Sequence, residues 1–101
     1  MIRELLMRGA SNAVPGRQLA SSLNTDVRTI HKLIERERQD GEPICATVAG
    51  DDKGYFLAAN ARELDAYCRS LDRRLKNIQK TRRAVGDTLA KMAEQEQMEG
   101  W

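Results

Sequence analysis

The chain of 101 residues has little of what catalytic and metal-binding sites are built from. It holds one histidine and two widely separated cysteines, Cys45 and Cys68, which excludes a zinc framework and a disulfide scaffold. We expect no catalytic residues, no metal and no cofactor, because His31 and the cysteines lack activating partners and no glycine-rich phosphate loop is present. Aromatic residues make up only 4% of the chain, so the core must be small and aliphatic.

Long apolar runs and a large excess of one charge are also missing. No stretch is long enough to span a membrane, and the N-terminus lacks the apolar run of a signal peptide. With so few cysteines, we expect a cytoplasmic protein without a membrane partner. The formal net charge of +2 is well short of the cationic character of a non-specific nucleic-acid coat.

What the chain does contain, over residues 16–44, is the pattern of two short amphipathic helices. Apolar residues recur with helical i, i+3/i+4 spacing on both sides of a break at Asn24. They are Leu19, Ala20 and Leu23 before the break, and Val27, Ile30, Leu33 and Ile34 after it. Asn24 tolerates a left-handed turn conformation, and Asp26 can cap a second helix that runs from about Val27 to Gln39. This pattern is typical of a helix-turn-helix.

Weaker signals surround this motif. Gly41 is expected to end the second helix of the motif, and Pro43 forces an extended chain after it. The other elements expected in the first 60 residues are a helix over residues 1–8, a loop over 9–15, a strand over 44–49, a turn over 50–54 and a strand over 55–58. The expected core is Ile2, Leu5, Leu19, Leu23, Ile30, Ile34 and Leu57.

The order and spacing of these features resemble the winged helix-turn-helix at the N-terminus of the biotin-operon repressor and related bacterial regulators. The features that carry the resemblance are Leu19-Ala20, Leu23-Asn24, Asp26, Ile30, Ile34, Gly41, Pro43-Ile44 and, as the wing strand, Gly54-Tyr55-Phe56-Leu57. The match covers roughly residues 14–59, somewhat under half of the chain. Glu37 departs from the family pattern, which usually has a buried leucine at this position.

The resemblance implies double-stranded DNA as the partner and the second helix of the motif as the recognition helix. Arginine can read guanine there, and histidine or lysine can contact bases or phosphates. The expected DNA-contacting residues are Arg17, Gln18, Thr25, Arg28, His31, Lys32 and Lys53. The alternative for each is a solvated helix face or an ordinary cap. Phosphates would repel Asp51 and Asp52 at the wing tip, so we expect the wing to stay off the DNA or to touch it only through Lys53.

The chain changes character after Asn60. Asn60 and Glu63 fit a pair of the capping-box kind, and the following residues up to 99 contain no proline and one glycine, Gly86. Seam positions then alternate in steps of four and three residues over about four heptads, which is typical of a coiled coil. We expect one helix from Ala61 to about residue 97 that pairs with a second copy. Its seam is Leu64, Cys68, Leu71, Leu75, Ile78, Arg82, Val85, Leu89 and Met92.

We therefore predict a mainly α chain with a small β-hairpin. Residues 1–60 form a winged helix-turn-helix head, residues 61–98 a long dimerisation helix with coiled-coil pairing, and residues 99–101 a tail. The implied function is that of a sequence-specific transcription regulator, a homodimeric repressor of the kind encoded by bacteria and phages. The alternative is a protein-interaction adaptor or anti-defence inhibitor on the same scaffold, with an unidentified protein partner. Basic side chains exposed together on the recognition helix favour DNA, whereas an exposed apolar patch there favours a protein.

Overall fold

A computed structural model describes residues 1–47 and 54–99 of the chain. The fold is mainly helical, with a long C-terminal helix and a small three-stranded antiparallel sheet. Its elements are β1 (Val14–Pro15), α1 (Gly16–Ser22), α2 (Val27–Gln39), β2 (Ile44–Ala46), β3 (Gly54–Leu57) and α3 (Ala61–Glu99). The chain divides into two compact units after Tyr67, and the first unit contains the sheet together with α1 and α2.

The connection between α1 and α2 is a tight turn around Asn24, which adopts the predicted left-handed conformation with φ of 54°. Its N–H donates to the Ser21 carbonyl at 3.2 Å, and the Thr25 N–H donates to the Ala20 carbonyl at 2.9 Å. These two bonds satisfy carbonyl groups that the end of α1 would otherwise leave unpaired. Ala20 is buried in the same cluster as Ile30 and Ile34 of α2, so a small side chain lies where α1 packs on α2.

Both ends of α2 lie where the sequence predicts them. Asp26 is the N-cap, and its Oδ1 accepts a hydrogen bond from the Thr29 N–H at 2.7 Å. At the other end Gly41 has φ of 103°, and its N–H donates to the Arg38 carbonyl at 3.0 Å. A residue with a side chain would be strained at that φ, which explains the glycine.

The sheet has three strands rather than the predicted hairpin of two. β3 lies in the centre and pairs antiparallel with β1 on one side and with β2 on the other. β1 falls in the segment that the sequence predicts as a loop, and Pro15 suits its edge position because it has no N–H to donate. Gly54 is required there, since a Cβ on it would come within 2.7 Å of the Ala13 Cβ. The predicted first wing strand extends to Ala49, but β2 ends at Ala46 and Thr47 is not part of it. Val48, Ala49 and the turn up to Lys53 lie outside the described residues.

The predicted helix over residues 1–8 is wrong, because only a single 3₁₀ turn, Ile2–Leu5, forms. Leu6 is already extended, and the chain then runs beside β3. There the Leu57 N–H donates to the Met7 carbonyl and the Gly9 N–H donates to the Leu57 carbonyl, both at 2.9 Å. Pairing with the sheet therefore ends the helix before a full α-helical turn can form.

The first unit has two hydrophobic clusters. The larger contains Ile2, Leu6, Leu19, Ala20, Ile30, Ile34, Ile44, Tyr55 and Leu57. The smaller contains Cys45, Phe56 and Ala58, with Ala13, Leu64 and Tyr67 packed against it. Two residues of the predicted core are instead substantially exposed, Leu5 at 40% and Leu23 at 41%. Leu5 points away because the 3₁₀ turn does not keep the helical face that the periodicity assumes.

Glu37 is buried in this unit, although the family that the sequence resembles usually has a buried leucine at this position. Its Oε2 accepts a hydrogen bond from the Ile2 N–H at 3.1 Å, and its Oε1 accepts one from the Arg3 N–H at 3.0 Å. The N–H groups at the start of a helical turn have no partners within it, so the carboxylate satisfies two of them. Glu37 therefore fastens the N-terminal segment to α2.

α3 begins at the predicted cap and is one continuous helix. Asn60 Oδ1 accepts from the Glu63 N–H at 3.0 Å, while Glu63 Oε1 accepts from the Ala59 N–H at 2.7 Å, one residue before the position typical of a capping box. From Leu71 to Met98 every residue except Gly86 is exposed. Within the described part of the chain, no helix combines the length and apolar character that crossing a membrane requires.

Replacing Glu37 by glutamine should destabilise the first unit by about 1–3 kcal/mol, because the amide has one acceptor oxygen for two N–H donors and leaves one buried donor unsatisfied. Urea unfolding followed by circular dichroism measures this loss. Glu35→Gln is the matched control, since Glu35 is exposed on the same helix and should change stability by less than about 0.5 kcal/mol. Equal stability of the two variants would show that the carboxylate is dispensable.

Candidate nucleic-acid interface

The predicted contact residues on α2 are all exposed. Arg28, His31 and Lys32 lie in the first half of the helix. At about 100° per residue, Arg28 and Lys32 are opposite the buried Ile30, whereas His31 lies beside the buried face. Within residues 1–47 and 54–99, no carboxylate forms an ion pair with Arg28 or Lys32. Both cations are therefore available to an anionic or hydrogen-bonding partner.

Arg36 extends this group and is absent from the predicted set. It is exposed one turn beyond Lys32, so Arg28, Lys32 and Arg36 form a row in which each residue lies four after the last. At 1.5 Å per residue the row is about 12 Å long. Like charges at i, i+4 repel one another, so this row costs the isolated helix a few tenths of a kcal/mol per pair. The i+4 spacing alone would have identified Arg36.

His31 differs from its neighbours because its ring contacts a residue of the sheet. Its ring meets the Tyr55 ring edge-on, with 6.2 Å between centroids and 61° between ring planes. Tyr55 is buried in β3, so this contact orients the imidazole. The sequence places His31 on the outer face of α2 but holds no local signal for the tyrosine beneath it.

Tyr55 also contacts the rest of the motif. A Cβ added at Gly16, the first residue of α1, would lie 3.4 Å from the Tyr55 ring, so the strand packs closely on that helix start. The Arg38 guanidinium lies 5.9 Å from the centre of the Tyr55 ring and 4.7 Å from that of Tyr67, and its Nε donates to the Ile44 carbonyl at 2.8 Å. These contacts hold α2 against β3 and the first turns of α3.

The other predicted contact residues are less well placed. Arg17 and Gln18 are exposed in the first turn of α1. Thr25 is exposed in the turn, but its N–H already donates to the Ala20 carbonyl, so its hydroxyl is the donor that remains for a phosphate. Lys53, with the acidic wing tip, lies outside the described residues.

Asp26 places a negative charge at the start of α2. Hydrogen bonds from Thr29, through its hydroxyl first and its N–H second, lower the pKa of Asp26 from its ordinary value of 3.8, and Lys32 adds a smaller electrostatic contribution. The carboxylate therefore stays ionised at neutral pH and complements the positive end of the helix dipole. It also reduces the positive potential beside Arg28.

The predicted seam of α3 is exposed over most of its length. Leu64 is the exception, since it is half-buried against the smaller cluster of the first unit. The exposed fractions further along are 39% for Leu71, 55% for Leu75, 62% for Ile78, 59% for Val85, 64% for Leu89 and 53% for Met92. Cys68 and Arg82 are exposed as well. The structure therefore leaves a row of aliphatic side chains uncovered.

No protein-family model, curated protein or solved structure matches the chain. Among residues 1–47 and 54–99, no group of three or more His, Cys, Asp or Glu side chains is arranged to hold a metal ion. The two features that stand out on the described surface are the basic row of α2 and the aliphatic seam of α3.

The cap at Asp26 should contribute to the stability of the first unit in a pH-dependent way. Because the folded state lowers its pKa, the carboxylate stabilises the fold above the unfolded-state pKa, and this contribution is lost as pH falls through the lower folded-state value. Asp26→Asn should keep the cap and flatten the loss of Tm below about pH 4, whereas Asp26→Ala should lower Tm at neutral pH. Thermal unfolding between neutral pH and pH about 2 tests both.

Asp40→Asn is the control for this series, because Asp40 lies just past the other end of α2 and its side chain is exposed. It should retain the acid sensitivity of the parent. An Asp26→Asn profile that coincides with that of the parent would contradict the role assigned to the cap.

Proposed function

We propose that the chain is a sequence-specific double-stranded DNA-binding regulator, with a winged helix-turn-helix head and a dimerising helix. The basic row on α2 carries this proposal. Arg28 and Lys32 are exposed one turn apart near the start of a helix whose opposite face is buried. A helix presented in this way can lie in the major groove and direct its N-terminal side chains at base edges.

The side chains of the head have distinct roles in this proposal. The Arg28 guanidinium reads a guanine through two parallel hydrogen bonds, since its planar fork matches the O6 and N7 acceptors. Lys32 and Arg36 neutralise phosphates along the groove, while Gln18 and the Thr25 hydroxyl contact the backbone beside it. Phosphate contacts set position and affinity, and the base contact sets the preference for sequence.

A protein-interaction adaptor or anti-defence inhibitor is the second candidate, and the apolar surface near α2 is what favours it. Leu23 and Val27 are exposed by 41% and 39% at the turn before the helix. Two partly exposed side chains make a small patch, well within what monomeric proteins normally expose. The outward residues that follow, including Arg28 and Lys32, are polar or charged. The surface of α2 therefore favours DNA.

The exposed seam of α3 supports a homodimer. Burying a large aliphatic side chain contributes about 1.5–3 kcal/mol. From Leu71 onward the seam side chains of α3 are exposed, so no described part of the chain buries them. An identical chain supplies a matching seam. Two linked heads then bind with an affinity far above that of one, because the second contact occurs at high effective concentration. A repressor of this kind acts by occupancy, excluding polymerase or another protein from the operator.

Arg28→Ala should weaken binding to the preferred site by about 1–3 kcal/mol and relax the preference for one base. The site is first obtained by selecting bound duplexes from a random DNA pool, and affinities are then compared between the selected duplex and a scrambled one. Arg83→Ala is the matched control, since it removes the same charge from α3 and should preserve the preference. An unchanged preference of a folded Arg28→Ala variant for the selected duplex would contradict the assignment of the base contact to Arg28.

Ile78→Asp should convert the dimer to a monomer at micromolar concentration. The change removes two aliphatic side chains from the pair and places an unpaired carboxylate in each copy of the seam, which costs several kcal/mol in total. Sedimentation velocity measures the mass, and DNA binding should fall sharply although the head stays folded. Ala90→Asp introduces the same charge off the seam and should remain dimeric. A parent that sediments as a monomer is incompatible with the proposed pairing.

A further inference from the structure

Charge is distributed unevenly along α3. Residues 62–83 contain eight Lys/Arg and three Asp/Glu, whereas residues 84–99 contain one Lys/Arg and four Asp/Glu. Packed helices lie 8–10 Å apart, which is about the screening length at physiological salt, so facing halves still interact. A parallel pair sets the basic halves side by side and the acidic halves side by side. An antiparallel pair sets the basic start of each helix towards the acidic end of the other.

Arg82 adds a local constraint because it occupies a seam position. In a parallel pair each seam residue faces the same residue of the second copy, so the two Arg82 guanidiniums would meet. The neighbouring seam residues Ile78 and Val85 offer no carboxylate to neutralise them. In the structure of the single chain, the Arg82 side chain lies along its own helix over Gly86. A Cβ added to Gly86 would come within 2.6 Å of the Arg82 Nη1.

A shallow depression on the seam shows what each orientation would insert. It is lined by Arg74, Asn77, Ile78, Thr81, Arg82 and Val85. Four of these have the i, i+3, i+4, i+7 spacing of a hole that receives one side chain from a facing helix: Ile78, Thr81, Arg82 and Val85. The parallel pair would insert the second copy's Arg82 beside the Arg82 already in this hole, and Arg74 lines the same depression. The antiparallel pair inserts the second copy's Ile78, which is aliphatic and uncharged.

The extent of the free seam sets the register. Leu64 is already packed in the first unit, so the available seam runs from Cys68 to Met92. An antiparallel pair centred on Lys80 uses all eight of these positions without an overhang. Its facing residues are Cys68 with Met92, Leu71 with Leu89, Leu75 with Val85, and Ile78 with Arg82.

From these observations we propose that the seam of α3 binds a second copy of the chain in the antiparallel orientation, centred on Lys80. The proposal deepens the homodimer of the proposed function and rests on it. The Arg82 stem packs on the second copy's Ile78 while its guanidinium remains over Gly86 at the edge of the seam.

Disulfide cross-linking of the full chain tests the orientation. Native Cys68 faces position 92 of the second copy in the antiparallel pair, whereas it faces Cys68 in a parallel pair. Mild oxidation with copper phenanthroline should leave the parent uncross-linked and should convert most Met92→Cys chains to a covalent dimer. Peptide mass mapping should find position 68 joined to position 92, since facing residues bring their Cα atoms within the roughly 7 Å that a disulfide tolerates.

The control is Met92→Cys combined with Cys68→Ser. It should not cross-link, because the two residues at position 92 lie far apart in the antiparallel pair. Sedimentation of the reduced parent is measured alongside. A dimer whose parent links Cys68 to Cys68 is parallel and overturns this proposal while leaving the homodimer intact. A dimer in which no variant links overturns the register centred on Lys80. A monomeric parent overturns the homodimer itself.

Discussion

The left-handed backbone at Asn24 sets the angle between α1 and α2, and the packing of the head depends on that angle. The turn is closed by backbone hydrogen bonds to Ser21 and Ala20, which also complete the last turn of α1. The small, buried Ala20 side chain then allows the helices to approach, and Ile30 of α2 is fully enclosed. A β-branched or bulky residue at position 24 would be strained at this φ and would open the angle.

Features set by hydrogen bonds between near neighbours could be predicted from the sequence. The turn at Asn24, the cap at Asp26, the glycine end at Gly41 and the start of α3 at Asn60 each depend on residues within five positions of one another. Such signals do not require knowledge of the rest of the chain. They gave the bounds of α2 and the start of α3 correctly.

Features set by distant contacts could not be predicted in this way. Residues 14–15 become a strand only because β3 lies beside them, and the first helix ends early because Met7 and Gly9 bond to Leu57. Glu37 receives its partners from residues more than thirty positions away. In the candidate interface, helical spacing predicts that Arg28 and Lys32 share a face, but only the fold brings Tyr55 against His31. Tertiary contacts override local propensity at each of these sites.

Gly86 connects the stability of α3 to the geometry of the proposed pairing. A glycine in an exposed helix costs about 0.5–1 kcal/mol relative to alanine, and here it lies under the Arg82 guanidinium. In the proposed antiparallel pair, the space over Gly86 holds the Arg82 guanidinium at the edge of the seam while the Arg82 stem packs on Ile78 of the second copy. The seam can then continue through Arg82 instead of ending there.

In the proposed dimer, the orientation of the two α3 helices also decides where the two first units are attached. In the antiparallel register the two Cys68 residues, where the second unit begins, are separated by 24 residues of helix, or about 36 Å at 1.5 Å per residue. In a parallel pair they would be about 10 Å apart. Adjacent half-sites on one face of a duplex are about 34–36 Å apart. If the chain binds DNA as proposed, an antiparallel α3 pair would match the distance of one helical turn of the duplex, whereas in a parallel pair the first units themselves would have to cover that distance.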